Sequence, residues 1–437
     1  MDHLGTGGVE IAAHHPGLDD PGRAEQAAPA VVDVEQAGVV LGQRQLYGPG
    51  LDADLGRGLG ERAAVVAGAR DQALLVASGD LGGAPEHLVG GAGIELVSHG
   101  TILPAAGAPS LTTVPVQLLT SLDGEIAFDL DPEVAPSAAG PTRISDEVTV
   151  DDVALLARAA TGMLATYEVR LGGAAAGIRP RLLDTRRQTA ERWREEVRSL
   201  VESRRFVPLE DADPGGTARA RAVVAAAEAW LGTLDGRTVA VATLDRVGRA
   251  VVHEVTRRGA LVVAVATDRG AVARPDGFAP DELDAARAEH GPSFVHQLAL
   301  DVHAAREVHE LRVDVLVPAS AVGVLDHALA PRVQAGVVVP AHLVPCTQRG
   351  LDALRAERVA VLPDVVTAGG AVLARTSPPG LTPDERLRRI DREVGERIDA
   401  ARLAKVDPIR HAALLADTFL STWVPAEHRH ELPVLAP

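Results

Sequence analysis

The sequence predicts an α/β protein built on a doubly wound parallel sheet. The first sign is a strand–turn–helix–strand unit over residues 238–270. Val239-Ala240-Val241-Ala242 has the unbroken apolar character of a buried parallel strand, and Thr243-Leu244-Asp245-Arg246 makes a polar turn. Val247, Val251, Val252 and Val255 then recur at helical spacing, Gly259 closes the helix, and Leu261–Val265 forms the second strand, ending at Thr267-Asp268. The second sign is a series of short apolar runs, each ended by proline: 314–318, 336–340 and 359–363. The third is that helical or loop segments separate these runs. Such a sheet carries its ligand crevice at the C-terminal ends of the strands.

Composition narrows the class. The chain has 437 residues, enough for two or three domains, and is rich in Ala, Val, Leu and Gly but poor in aromatics, so its core is built of small side chains. A formal charge of −17 argues against nucleic acid or an anionic membrane as the main partner. The lone Cys346 excludes an internal disulfide framework and a cysteine-rich zinc site, and no metal site is expected elsewhere. No apolar run is long enough to span a membrane, and Met1-Asp2-His3 lacks a signal peptide's basic and apolar regions, so a cytoplasmic protein is expected. Lys405 is the only lysine, so lysine chemistry must use it or be absent.

Residues 1–110 carry many Gly, Ala, Pro, Asp and His without a clear period. They are expected to be a disordered or loosely helical extension, one that a misassigned start would also explain. His14-His15 reads as a solvated turn. From Thr113 the texture changes: Val114–Leu119 and Glu125–Leu130 read as strands flanking an Asp123-Gly124 turn. Thr149 caps an amphipathic helix running to about Thr161, with Asp151 and Asp152 in its first turn. Leu171–Ile178 reads as a glycine-rich loop, and a second helix as running from about Thr189 to Arg204. In the tail, Thr382-Pro383-Asp384-Glu385 is a capping box, with Leu387, Ile390, Val394 and Ile398 on one helix face, and a further helix spans about Ile409–Trp423. The expected domains are the extension 1–110, a substrate-binding and oligomerising α/β domain 111–220, a nucleotide-binding domain 221–376, and C-terminal helices 377–437 that pack back.

A dinucleotide turn needs G-x-G-x-x-G, and the three places here hold Thr243, Asp245 and Gly248. The packing glycine is present. Both phosphate-side glycines are not, and Asp245 puts a carboxylate where a diphosphate would sit.

Several motifs in order resemble the glutamate/leucine/phenylalanine/valine dehydrogenase family. Gly140-Pro141-Thr142-Arg143 is similar to its G-G-x-R, and Ala157–Met163 to A-R-x-M-T-x-K. Gly172–Gly177 is similar to G-G-x-K-G-G, and Pro208–Asp211 to the stretch ending in the catalytic Asp. Val317–Ala321 resembles the P-A-A strand end, and Pro363–Gly370 resembles P-D-I-x-A-N-A-G-G, one residue short. The resemblance covers about 113–370. It implies a two-domain fold with a Rossmann-type sheet, NAD or NADP as cofactor, and oxidative deamination of an L-amino acid to a 2-oxo acid.

It also locates the departures. The family's two working lysines fall on Met163 and Ala175, which can neither hold charge nor move a proton. Asp211 keeps the catalytic carboxylate. Thr243, Asp245, Arg246, Val247, Gly248, Thr267, Asp268, Ala319 and Gly323 fall on cofactor positions, and Gly172, Gly173 and Thr367 on the substrate cleft. The family's asparagines beside the nicotinamide align with Gly323, Leu343 and about Thr367. The expectation is an impaired member with doubtful cofactor binding, assembling as a homo-oligomer or beside an active paralogue. Two alternatives stay open: an active dehydrogenase using Asp211, with Arg170 or Arg179 replacing lysine contacts, and a different small-molecule function in the same cleft. Cys346 reads as a reactive or an inert strand-end thiol, and His253, His296, His303 and His309 as packed or surface histidines.

Overall fold

A computed structural model describes residues 117–121, 123–181 and 185–429. The expected extension, its His14-His15 turn and the start of the first expected strand lie outside these residues.

The first sheet begins with β1 (Gln117–Thr120) and β2 (Gly124–Phe128), paired antiparallel around a turn in which the Ser121 hydroxyl accepts the amides of Asp123 and Gly124. β3 (Ala138–Gly140) and β4 (Thr142–Ile144) follow. Helix α1 (Val150–Thr166) starts at the expected cap, where Thr149 and Asp152 exchange capping-box hydrogen bonds. It runs past the expected Thr161 because its buried face continues through Met163 and Leu164.

The glycine-rich stretch expected as a loop is instead strand β5 (Gly172–Ile178), buried at every position. It pairs with β2, β3 and β4. Its small residues let α1 lie directly on it: a Cβ at Gly173 would stand 2.1 Å from the Ala157 carbonyl oxygen and 2.2 Å from the Thr161 amide nitrogen. Here glycine marks close helix–strand approach rather than a turn. The second helix is also corrected. It breaks at Val197 into α2 (Arg186–Glu196) and α3 (Arg198–Glu202). β6 (Phe206–Pro208) completes a sheet of order β1-β2-β5-β3-β6, with β4 beside β5.

Helix α4 (Thr217–Leu231) leads into the second sheet. Its elements are β7 (Thr238–Val241), α5 (Arg246–Arg257), β8 (Leu261–Thr267), β9 (Gly270–Ala273), α6 (Pro280–His290), β10 (Val313–Val317), β11 (Ala335–Val338), α7 (Gln348–Ala356) and β12 (Ala360–Val361). The order is β12-β11-β10-β7-β8-β9, parallel throughout except for the β8–β9 pair, a hairpin the sequence reading did not anticipate. The chain enters at β7, builds outward through β8, then returns to β10 on the other side. The switch point therefore lies between β7 and β10, which is where a doubly wound sheet opens its crevice.

The tail comprises α8 (Asp364–Thr367), α9 (Gly370–Arg375), α10 (Pro383–Ala404) and α11 (Pro408–Leu420). Thr382 and Glu385 form the expected capping box, and Ile390, Val394 and Ile398 are buried in a core shared with α1, α4, α5, β7 and β8. Arg221 of α4 pins this packing by bonding Asp391 of α10 and Glu254 of α5.

Candidate functional site

At the switch point, β7 gives way to the turn holding Thr243 and Asp245. Asp245 caps α5: its Oδ1 accepts the Gly248 amide at 2.8 Å, and its Oδ2 lies 3.4 Å from His342 Nε2. Burial opposes ionisation of Asp245, but the charge and hydrogen bond of His342 outweigh it and hold the carboxyl at about 2. Gly248 is buried, and a Cβ there would stand 1.8 Å from the Thr243 carbonyl oxygen, so the packing glycine is required. Val247 is buried against Gly216, while Arg246 is exposed.

Across the switch point, after β10, the Ala319 amide donates to His309 Nε2 at 3.4 Å. Gly323 adopts φ +63 and donates to the Val344 carbonyl at 2.8 Å. At the end of β8, the Thr267 hydroxyl donates to the Pro292 carbonyl at 2.9 Å, and Asp268 is exposed.

The structure thus gathers the nine expected cofactor positions at the ends of three neighbouring strands. At this helix end the Gly248 amide is taken by the chain's own Asp245 carboxylate, whose charge would face any second negative group bound there.

The positions of the missing lysines are packed apolar. Met163 is 2% exposed on α1 and Ala175 is 0% exposed in β5, within one core cluster. The neighbouring motif residues hold the scaffold instead. Thr161 donates to Asp129 Oδ2 at 2.6 Å and accepts the Gly173 amide at 3.0 Å, while Arg158 pairs with Asp129. Gly172 and Gly173 are therefore buried strand residues rather than loop residues. Thr367 is 0% exposed, and its hydroxyl has no partner.

Asp211, the expected carboxylate, is exposed, whereas its neighbour Glu210 turns inward. Glu210 Oε1 accepts the Thr142 amide at 3.1 Å. Burial pushes its carboxyl above the usual range, with the Arg219 charge acting against this. Asp213 caps α4, accepting the amides of Ala218 and Arg219 at 2.9 and 3.1 Å, and also accepts from Arg219 Nε at 3.3 Å. Glu210, Asp213, Arg219 and His342 were missed by sequence reasoning. The Asp213–Thr217 stretch did carry a cap signal. Nothing in the run 210–213 said which carboxylate turns in, and His342 stands in a loop without pattern.

Two side-chain hydrogen bonds link elements around the first sheet to elements around the second. Arg143 donates to the Ser320 carbonyl, joining the two motifs that face one another. The Tyr167 hydroxyl donates to the Val366 carbonyl at 2.7 Å. Gly370 packs against α4, where a Cβ would stand 2.0 Å from the Ala218 carbonyl oxygen.

The remaining candidates settle as follows. Burial, reinforced by the Asp364 charge, pushes the Cys346 thiol up to about 12, so it is inert near neutrality. His253 bonds Asp284 at 2.8 Å, His296 and His303 are exposed, and His309 is buried with Nδ1 on the Arg306 carbonyl at 2.9 Å. Arg170 is exposed, and Arg179 is engaged by Glu125 and the Val148 carbonyl. Among the described residues no His/Cys/Asp/Glu cluster is arranged to hold a metal, and no helix is long and apolar enough to cross a membrane.

Comparison with known proteins matches residues 213–376 to the family model Glutamate/Leucine/Phenylalanine/Valine dehydrogenase. A glutamate dehydrogenase of Aeropyrum pernix is 31% identical over 178 residues, 39% of this chain and 42% of that protein. The NADP-specific glutamate dehydrogenase A1 of Halobacterium salinarum is 34% identical over 139 residues, 32% of this chain and 33% of that protein. The chain thus spans under half the length of these curated relatives. Among solved structures, the hetero-hexameric glutamate dehydrogenase from Thermus thermophilus in its Leu-bound form aligns with a TM-score of 0.58 and 25% identity, over 69% of this chain and 83% of that one. The architecture is that of a two-domain amino-acid dehydrogenase with a Rossmann-type sheet. Residues 213–376 are thus similar to the glutamate/leucine/phenylalanine/valine dehydrogenase family, and the fold of the described residues is similar to that of a solved glutamate dehydrogenase.

Proposed function

We propose that this chain is a catalytically impaired family member, retained as a non-catalytic cytoplasmic subunit that assembles with an active paralogue or with itself. The parent reaction is NAD(P)-dependent oxidative deamination of an L-amino acid to a 2-oxo acid. The observation that carries the reading is the burial of Met163 and Ala175 in the apolar core. Substrate orientation and electrostatic stabilisation supply most of the barrier reduction in such a site, and apolar side chains supply neither. The Asp245 cap supports the cofactor half of the reading, since it competes with the diphosphate of NAD or NADP. Similarity to a hetero-hexameric protein supports the assembly half.

The alternative, turnover through Asp211 with arginines in place of lysines, is the weaker reading. Asp211 and Arg170 face solvent, and Arg179 is engaged by Glu125. Purification of the tagged chain from its own cells tests the assembly. Co-elution with an amino-acid dehydrogenase, or a homo-oligomer on its own, is expected. A lone monomer contradicts it.

A further inference from the structure

Of the six large apolar side chains exposed among the described residues, four lie on the tail: Leu403, Val406, Leu414 and Leu415. A single exposed leucine needs no explanation, but a group of them on one surface marks a contact. Leu403 is 77% exposed at the end of α10, at helical spacing from Glu396 and Ala400, and Leu414 is 57% exposed in the middle of α11. Beside them a groove of about 420 Å³ runs between the end of α1, α10 and α11, with Ala400, Leu415 and Phe419 in its walls.

The charges around Leu414 say what covers this face. α11 turns Ile409, Ala412, Ala413, Ala416 and Leu420 to the core, which leaves Arg410, Leu414 and Asp417 together on its outer face. Arg410 stands one turn before Leu414, and Asp417 one turn after it. Arg410 is exposed, and its guanidinium forms no ion pair among the described residues. The Asp417 side chain is 65% exposed and meets Arg429 only at 3.9 Å. This order of charges is complementary to its own reverse. Two copies of α11 laid antiparallel about a twofold axis at Leu414 bring the two leucines together and set each Arg410 beside the other copy's Asp417. Parallel copies would set like charges together. The same axis carries the Leu403 of one copy towards the Phe419 end of the other's groove, since both lie on the α10 side of α11 at its opposite ends. A twofold contact uses one patch twice, so each favourable pair counts twice. We propose that the outer face of α11 is a contact between two copies of this chain, paired antiparallel about Leu414, with Leu403 of each copy covering the other's groove. The inference rests on the reading that this chain assembles, and it names a second copy as the partner on this face.

Analytical sedimentation of the full chain and its variants tests the contact. The wild type is expected as a dimer or a larger even-numbered assembly. Leu414→Glu, which sets two carboxylates face to face on the axis, is expected to halve that mass. Arg410→Glu is expected to weaken the contact about tenfold, and the double reversal Arg410→Glu with Asp417→Arg to restore it. All three positions are exposed, so the variants are expected to fold as the wild type does. Should Leu414→Glu fail to fold, the loss and recovery in the charge reversals carry the test. A mass that Leu414→Glu leaves unchanged would mean that another surface joins the copies or that another partner covers this face. That outcome would overturn the inference and leave the assembly reading standing. A double reversal that restores nothing would overturn the antiparallel pairing. A wild type that stays monomeric at every concentration would also overturn this contact, and co-elution with a dehydrogenase would then decide the assembly reading by itself.

Discussion

The Tyr167 hydroxyl donates to the Val366 carbonyl oxygen across 2.7 Å. Its ring also lies 4.4 Å from the Arg397 guanidinium and against Gly369, where a Cβ would come within 2.0 Å of a ring carbon. One side chain thus fastens the end of α1 to the turn carrying Thr367 and to α10.

Tyr167→Phe keeps the ring and removes the bond, while the Val366 carbonyl keeps the Gly369 amide. The expected loss is about 1 kcal/mol, seen by calorimetry as a fall in Tm of about 2 °C. An unchanged Tm would mean that the bond contributes nothing net.

Two adjacent glycines of β5 should differ sharply. At Gly173 a Cβ meets the backbone of α1 at 2.1 and 2.2 Å, whereas at Gly172 it meets side-chain carbons of Ala135, Ala138 and Leu130 at 3.0, 3.5 and 3.6 Å. Gly173→Ala is expected to cost about 3 kcal/mol or more, because neither strand nor helix can withdraw. Gly172→Ala should cost under about 1 kcal/mol. Denaturant unfolding of the two variants measures the contrast, and equal losses would contradict the packing described.

His309 gives stability a pH dependence. Burial holds its imidazole below the usual range, and its neutral form bridges the Arg306 carbonyl and the Ala319 amide. Below about pH 6.5 the unfolded chain takes up a proton that the folded chain resists. This contribution is therefore complete above that pH and is lost as the pH falls from there towards the folded value. Glu210 and Asp364, both raised by burial, act in the opposite sense, stabilising as the pH falls. Comparison with His309→Gln isolates the histidine. The gap in stability between the two proteins should narrow on going from pH 8 to pH 5, and a constant gap would show that His309 does not titrate as described.

Much of the fold was legible because its signals were local. The separate strands and helix of the βαβ unit at 238–270, the Thr149 and Thr382 capping boxes and the proline-ended strands each declare themselves within a dozen residues or so. β5 was not legible. Glycine that permits a turn and glycine that permits a helix to touch a strand look alike until the helix is in place. The candidate site divides the same way. Thr243, Asp245 and Gly248 could be located because the turn between β7 and α5 has a local signal. The choice between Glu210 and Asp211 depended on which way a single turn of 3₁₀ helix faces, and that is set by the Thr142 amide sixty-eight residues away. The pairing of His342 with Asp245 is likewise long-range and had no sequence signal.

The most direct test of the central claim is a turnover assay of the purified chain, following amino-acid-dependent reduction of NAD⁺ and NADP⁺ across a panel of L-amino acids. With Met163 and Ala175 buried in the core and Asp245 on the helix that would take the diphosphate, no reduced cofactor should form above the blank. Turnover in the ordinary enzymatic range, about 1 s⁻¹ or faster, would contradict the account and return the catalytic role to Asp211.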